Sequence, residues 1–336
     1  MKHTQDNIRI LVISGSARRA TNCPGADGKS TFFMERIKTA LPQDWTVDLC
    51  NLSNDYTLPK IQACNACAST SMALCVWPCN CYKRHSFVQP DLMWDEDLFG
   101  RIYAADAIVV ISPVNWYGPT SSLKLLFDRL VCASGGNPDP KLIDQKNANL
   151  AAALENSPQW KKLSQNHLEG RTAAFFVYGN AGADEVDETG SPFLLKHKEY
   201  FDPRKEVALT HGYKAFEPII FQLRYSGIEA PDELVRYIVT GKGEKYNKDQ
   251  IPALKHNEKA LHAFDVWVEN VKNFVEKKGK IKPGKYPVPL KKPDSEMSVF
   301  ARQVQLLIRK TLGSLWMHSF GYFTFQRTNK KRQLKR

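Results

Sequence analysis

The chain has 336 residues, 43% of them hydrophobic and 11% aromatic, which is enough for one large core plus an extension, and it carries a net charge of +12. That charge is lopsided: residues 277–336 hold sixteen Lys/Arg against Asp294 and Glu296, which leaves the body slightly acidic, argues against a nucleic-acid-binding body and confines any polyanion contact to the tail. No apolar run approaches the roughly 20 residues of a membrane span. The opening "MKHTQDNIRI" lacks a secretory apolar stretch, so a cytoplasmic protein is expected, its eight cysteines thiols or ligands rather than disulfides.

In chain order, Ile8–Ser14 is an apolar, β-branched run of strand length. The stretch after it, "SGSARRATNCPGADGKST" (14–31), ends like a P-loop, but a P-loop needs a glycine where Cys23 stands. What remains is a set of hydroxyls (Ser14, Ser16, Ser30, Thr31) and guanidinium groups (Arg18, Arg19) on small-residue backbone, leading into a helix start. Those are the components of a phosphate site without triphosphate geometry. The plain alternative is a capped helix after a flexible loop. Lys29 is either a further phosphate contact or a solvated side chain. Thr31–Leu41 follows with helical spacing and Ser30 as the expected N-cap.

Trp45–Leu49 reads as a second strand. "CNACASTSMALCVWPCNCYKRH" (64–85) then gathers Cys64, Cys67, Cys75, Cys79 and Cys81. Soft thiolates at this density could ligate zinc or an iron–sulfur cluster, for instance Cys64, Cys67, Cys75 and either Cys79 or Cys81; the alternative is a loop of buried or redox-sensitive thiols. Asp91–Ala104 reads as one amphipathic helix, and Ala107–Ser112 as a strand apolar enough to be buried on both faces of a parallel sheet. "SPVNWYGPTSSLKLLFDRL" (112–130) places Pro113, Asn115, Trp116, Tyr117 and Gly118 at that strand's end. Two aromatics beside a glycine suit a flat conjugated ligand, or packing against a neighbouring loop or subunit. A helix is expected from Ser122 to Val131, a helical insertion within 133–170, and a fourth strand at Thr172–Tyr178. "YGNAGADE" (178–185) is a small-residue turn. Beyond it lie a helical segment near Tyr213–Arg224 and an amphipathic helix over 261–278. Strands alternating with helices indicate a doubly wound α/β domain, which binds ligands beyond the carboxyl ends of its strands. Residues 279–293 carry four prolines and two glycines and read as a linker. Residues 294–336 form a basic, aromatic extension that either touches an anionic membrane surface through 297–336 or packs on the body with a solvated end.

Together "GSARR…KST", "ADAIVVISPVNWYGPTSSLKLLFDRL" and "FFVYGNAGA" resemble the NADPH-dependent FMN reductase family of flavodoxin-like flavoproteins, over about residues 8–225. The resemblance implies a five-stranded parallel sheet in a domain spanning 1–278, with FMN as cofactor and NADPH or NADH as co-substrate. It implies that Ser16, Arg18, Ser30 and Thr31 hold the FMN phosphate. Pro113, Asn115, Trp116, Tyr117 and Gly118 would line the isoalloxazine and ribityl chain, and Gly179, Asn180 and Gly182 would border the far side. Lys124, Asp128 and Arg129 are implied to be structural. The chain departs from the pattern by the insertion "ATNCPGADG" and by Thr70, which stands where the C-x-x-C-x-x-C motif of the related iron–sulfur flavoproteins has its third cysteine. The expected activity is hydride transfer from nicotinamide to FMN and on to a flavin, quinone or other small acceptor, in a homodimer or homotetramer. The rival readings are an electron-transfer protein with FMN and a cysteine-ligated cluster, and a non-catalytic scaffold of the same fold.

Overall fold

The computed structural model describes residues 7–22, 25–52, 61–84, 86, 88–116, 118–179, 213–240 and 250–281. Five strands form one sheet: β1 (Arg9–Ser14), β2 (Thr46–Asn51), β3 (Ala107–Pro113), β4 (Thr172–Gly179) and β5 (Val235–Val239). All pairings are parallel and the order is β2-β1-β3-β4-β5. This is the flavodoxin-like arrangement the alternation of strands and helices calls for. Parallel strands need crossovers, and the helices of those crossovers cover both faces.

Period-two alternation along the strands splits the core into two layers. Leu11, Ile13, Ile108, Val110, Ala173, Phe175 and Val177 face one side and pack with α2 (Leu92–Asp95), α3 (Leu98–Ala104), α4 (Ser121–Arg129) and α7 (Tyr213–Tyr225). Ile10, Val12, Val109, Ile111, Ala174, Phe176 and Tyr178 face the other, against α1 (Lys29–Ala40), α8 (Gln250–Lys255) and α9 (Glu258–Lys278). On that second face Phe33, Phe176, Phe264 and Trp267 form a continuous aromatic cluster with centroids 4.6–5.6 Å apart. Arg36 of α1 also grips Asp265 of α9 through two bonds of 2.8 and 2.6 Å.

One sequence expectation changes, and two others gain their bounds. The single helix over Asp91–Ala104 is two, broken at Asp97, which adopts a left-handed φ of 51° that a short polar side chain tolerates. The fifth strand, implied but not located in the sequence, is Val235–Val239, an edge strand whose Arg236 is exposed. The insertion is helical as expected, with α5 (Ala148–Glu155) and α6 (Trp160–Leu163). Its role is to pin the cysteine stretch. Ala151 and Trp160 pack on Ala73 and Leu74, while Glu155 accepts bonds from the Ser71 hydroxyl and, at 3.1 Å, from the Met72 N–H.

Two junctions near that insertion carry testable consequences. A Cβ built on Gly136 would lie 2.2 Å from the Cys132 carbonyl oxygen and 2.9 Å from that of Cys75, both rigid backbone. Gly136→Ala is therefore expected to lower stability by roughly 1–3 kcal/mol, the usual cost of overpacking, read as a drop in the urea midpoint. His167 stacks on Trp77 at 5.4 Å and 4° and bonds the Gly136 carbonyl through Nε2 at 2.6 Å. Burial lowers its pKa below the ordinary value, against the opposing pull of that carbonyl. A depressed folded-state value means the unfolded chain binds more protons below about pH 6.5, so this contribution is present above that pH and is lost as pH falls towards the folded value. His167→Gln, which keeps an N–H donor, is expected to flatten the fall of Tm between about pH 7 and 5; an unchanged slope would remove His167 from that role.

All but the first three residues of the linker 279–293, and the whole extension 294–336, lie outside the described residues. Among the described residues no helix is long and apolar enough to cross a membrane.

Candidate functional site: a cationic loop at the switch point of the sheet

The chain reverses direction across the sheet between β1 and β3, which leaves a crevice above their carboxyl ends where doubly wound sheets take ligands. Three segments meet there. The loop after β1 returns to the sheet through Gly15, whose N–H donates to the Ile111 carbonyl at 2.9 Å. The Thr120 hydroxyl donates to the Gly15 carbonyl at 2.7 Å and accepts from the Leu123 N–H, so the cap of α4 also fastens this loop. Contact is close enough that glycine is required: a Cβ on Gly15 would lie 2.5 Å from Ser112 Oγ, and one on Gly28 would lie 2.3 Å from Ser16 Oγ.

The expectation that Ser30 caps α1 is corrected. The N-cap is Gly28, with no side-chain cap bond, and α1 begins at Lys29. Ser30 is wholly buried and committed to protein partners. Its N–H donates to the Tyr178 hydroxyl at 3.0 Å, and its own hydroxyl donates to the Ile111 carbonyl at 3.1 Å and lies 3.0 Å from Tyr178 Oη. Tyr178, from the end of β4, thus forms the floor of the loop. It also bonds Ser16, and burial pushes its pKa up. Sequence reasoning counted Tyr178 as the last residue of a strand and the first of the small-residue turn, not as a binding-loop partner. Its signal was the hydroxyl at a strand terminus facing a serine-rich loop.

Ser16 is buried and accepts from the Arg18 N–H at 3.3 Å, while Thr31 accepts from Arg19 Nη1 at 2.8 Å. Arg19 and Lys29 are 7 and 6% exposed, and Arg18 is half-buried. Burial lowers the Arg19 pKa, with Asp27 opposing. The first turn of α1 holds no acid. Two buried cations and a half-buried one beside a helix N-terminus, with Asp27 as the nearby carboxylate, make a donor set that fits a phosphate. Of the residues expected to hold the FMN phosphate, Ser16, Arg18 and Thr31 lie together on this loop beside Arg19, whereas the Ser30 hydroxyl is turned to the Ile111 carbonyl and Tyr178.

Beyond the end of β3, Asn115 and Gly118 pair through their backbones. Asn115 N–H donates to the Gly118 carbonyl at 2.8 Å, and Gly118 N–H returns a bond at 3.0 Å. Trp116 sits on this turn with φ of 45° and 94% of its surface exposed, and Asn115 is also exposed. A bulky residue at left-handed φ is strained, and such strain collects at binding loops. Pro113 and Gly118 are half-buried beside it. Gly179 closes the third side, where a Cβ would meet the Tyr237 hydroxyl at 2.6 Å. Tyr117, Asn180 and Gly182 lie outside the described residues.

The cysteine stretch lies beside the carboxyl end of α4. Arg129 is fully buried there. It pairs with Asp91 at 2.8 Å, donates to the Gln62 carbonyl at 3.0 Å and lies over the Tyr82 ring at 4.7 Å. This is the structural role expected of it. Lys124 and Asp128 form an ion pair one turn apart on α4. The seven described cysteines are free thiols, and among the described residues no group of three or more His, Cys, Asp or Glu side chains is placed to hold a metal ion. Burial pushes Cys50 up to about 11 and Cys75 up to about 12.

Comparison with known proteins bears on this site. The chain is 28% identical over 124 residues to an iron–sulfur flavoprotein of Methanosarcina thermophila, a match covering 37% of this chain; it spans about half, 53%, of that relative's length. Similar solved structures include an NADH:FMN oxidoreductase (EMOB, apo form) at 12% identity, with 80% of this chain and 90% of that one covered and a TM-score of 0.38. RosB with a bound formylriboflavin phosphate intermediate matches at 9% identity, 89 and 86% coverage and a TM-score of 0.42. An azoreductase from Bacillus anthracis matches at 10% identity, 80 and 100% coverage and a TM-score of 0.39. The family profile described as NADPH-dependent FMN reductase matches residues 8–214, more than half of the sequence, and the chain belongs to that family.

Proposed function

We propose that the protein is an FMN-dependent oxidoreductase that takes hydride from NADPH or NADH and passes the electrons to a small acceptor such as a flavin or quinone. The observation that carries this reading is the cationic, acid-poor loop at the β1/β3 switch point, in a chain whose family is defined by FMN reduction. When bound, FMN supplies the hydride chemistry. The protein's own residues bind and orient. Arg18, Arg19 and the helix start hold the phosphate, Ser16 and Thr31 shape its cradle, and the Pro113–Gly118 turn supports the ring system with Trp116 on its open side. No side chain is assigned a proton transfer, since hydride delivery from a nicotinamide needs none.

The test is direct. Full-length protein is purified, scanned for the flavin absorption bands, and mixed anaerobically with NADPH and, separately, NADH. Rapid bleaching of bound flavin by either nucleotide is the expected result; protein that neither carries nor takes up FMN overturns the reading. The same reading includes assembly as a homodimer or homotetramer. It is supported by Phe221 and Tyr225, one turn apart on α7 and 68 and 69% exposed, and it is checked by light scattering of the holoprotein.

A further inference from the structure

Away from the flavin crevice, the cysteine stretch holds a second chemical arrangement. Cys67 Sγ lies 3.3 Å from Cys81 Sγ, although the two are fourteen residues apart in sequence. Both are half-buried, while Cys79 is 7% exposed. The surroundings hold this approach in place. Tyr82, next to Cys81, donates to the Ala63 carbonyl at 2.6 Å; Ala66, next to Cys67, is set in a left-handed turn; and Arg129 underpins the group from below. We propose that Cys67 and Cys81 form a redox-active dithiol that closes to a disulfide in exchange with low-molecular-weight disulfides of the glutathione class.

One further feature supports this pairing. Lys83 and Arg84, exposed and two and three residues after Cys81, offer positive surface to a disulfide that carries carboxylates.

The exchange balances as two steps. Cys81 sulfur attacks one sulfur of the small disulfide; a mixed disulfide forms at Cys81, and one small thiol leaves carrying the Cys81 proton. Cys67 sulfur then attacks Cys81 Sγ, forming the intramolecular disulfide and releasing the second small thiol with the Cys67 proton. The cysteines lose two electrons and the small disulfide gains them.

This inference does not depend on the flavin reading. It is tested on full-length protein, as purified, equilibrated anaerobically across ratios of oxidised to reduced glutathione, acid-quenched, alkylated and mapped by mass spectrometry. The expected product is a Cys67–Cys81 cross-linked peptide that grows with the oxidised fraction. Cys64→Ser is expected to leave it unchanged, and Cys81→Ser to abolish it. Cys79→Ser is expected to retain the cross-link. The proposal is overturned if Cys67 and Cys81 are alkylated at every ratio or if the cross-link joins other cysteines. It is equally overturned if stoichiometric iron or zinc must be stripped before these thiols react.

Discussion

Asp91→Ala is expected to lower the stability of the protein by about 3–5 kcal/mol, the range seen when one partner of a buried ion pair is removed and the other charge is left in the interior. Asp91 and Arg129 are both fully enclosed, 2.8 Å apart. The same carboxylate caps α2 through the Met93 N–H at 3.4 Å and accepts from the Gln62 N–H at 3.2 Å, so three segments lose an anchor at once. The expected readout is a fall in Tm on the order of 10 °C, together with earlier exposure of Cys79 to alkylating reagents. The paired change Asp91→Leu with Arg129→Met removes both charges and is expected to be markedly milder than Asp91→Ala alone. A single-variant loss below about 1 kcal/mol would show that Arg129 finds other compensation at this site.

Arg19→Ala is expected to weaken FMN binding by about 10- to 100-fold, the equivalent of one charge-assisted hydrogen bond. Binding of riboflavin, which lacks the phosphate, should change little. The reasoning is electrostatic. Arg19 is nearly enclosed, burial already disfavours its charge, and an incoming phosphate relieves that cost while Asp27 only partly does so. Titrating both flavins against wild type and variant, at two salt concentrations, separates the effects. Equal loss for the two flavins would mean that Arg19 acts by holding Thr31 and the loop rather than by meeting the phosphate.

These two positions differ in how visible they were beforehand. The strands β1, β3 and β4 are continuous apolar runs, and their burial on both faces left a clear trace in the sequence. β5 left little, because an edge strand with Arg236 exposed mixes polar and apolar residues over only five positions. Arg18, Ser16 and Thr31 stood out because charged and hydroxylated residues gather between a strand and a helix. Two facts there depended on long-range contacts that no local pattern encodes. Tyr178 takes the N–H and hydroxyl of Ser30 from 148 residues away, and Asp91 reaches Arg129 across 38 residues. The break at Asp97 was hidden because the flanking residues keep helical spacing while one backbone angle changes sign.

The turn at Asn115–Gly118 has an optical consequence. Of the described tryptophans, Trp45, Trp77, Trp94, Trp160 and Trp267 are buried, and Trp116 alone stands in solvent. Among these six, iodide or acrylamide added to the apoprotein would therefore quench mainly this indole, and replacing Trp316, which lies outside the described residues, with Phe isolates the Trp116 signal. Its emission reports on the crevice mouth, so occupancy of that mouth by a flavin, a nicotinamide or an acceptor can be followed without a label.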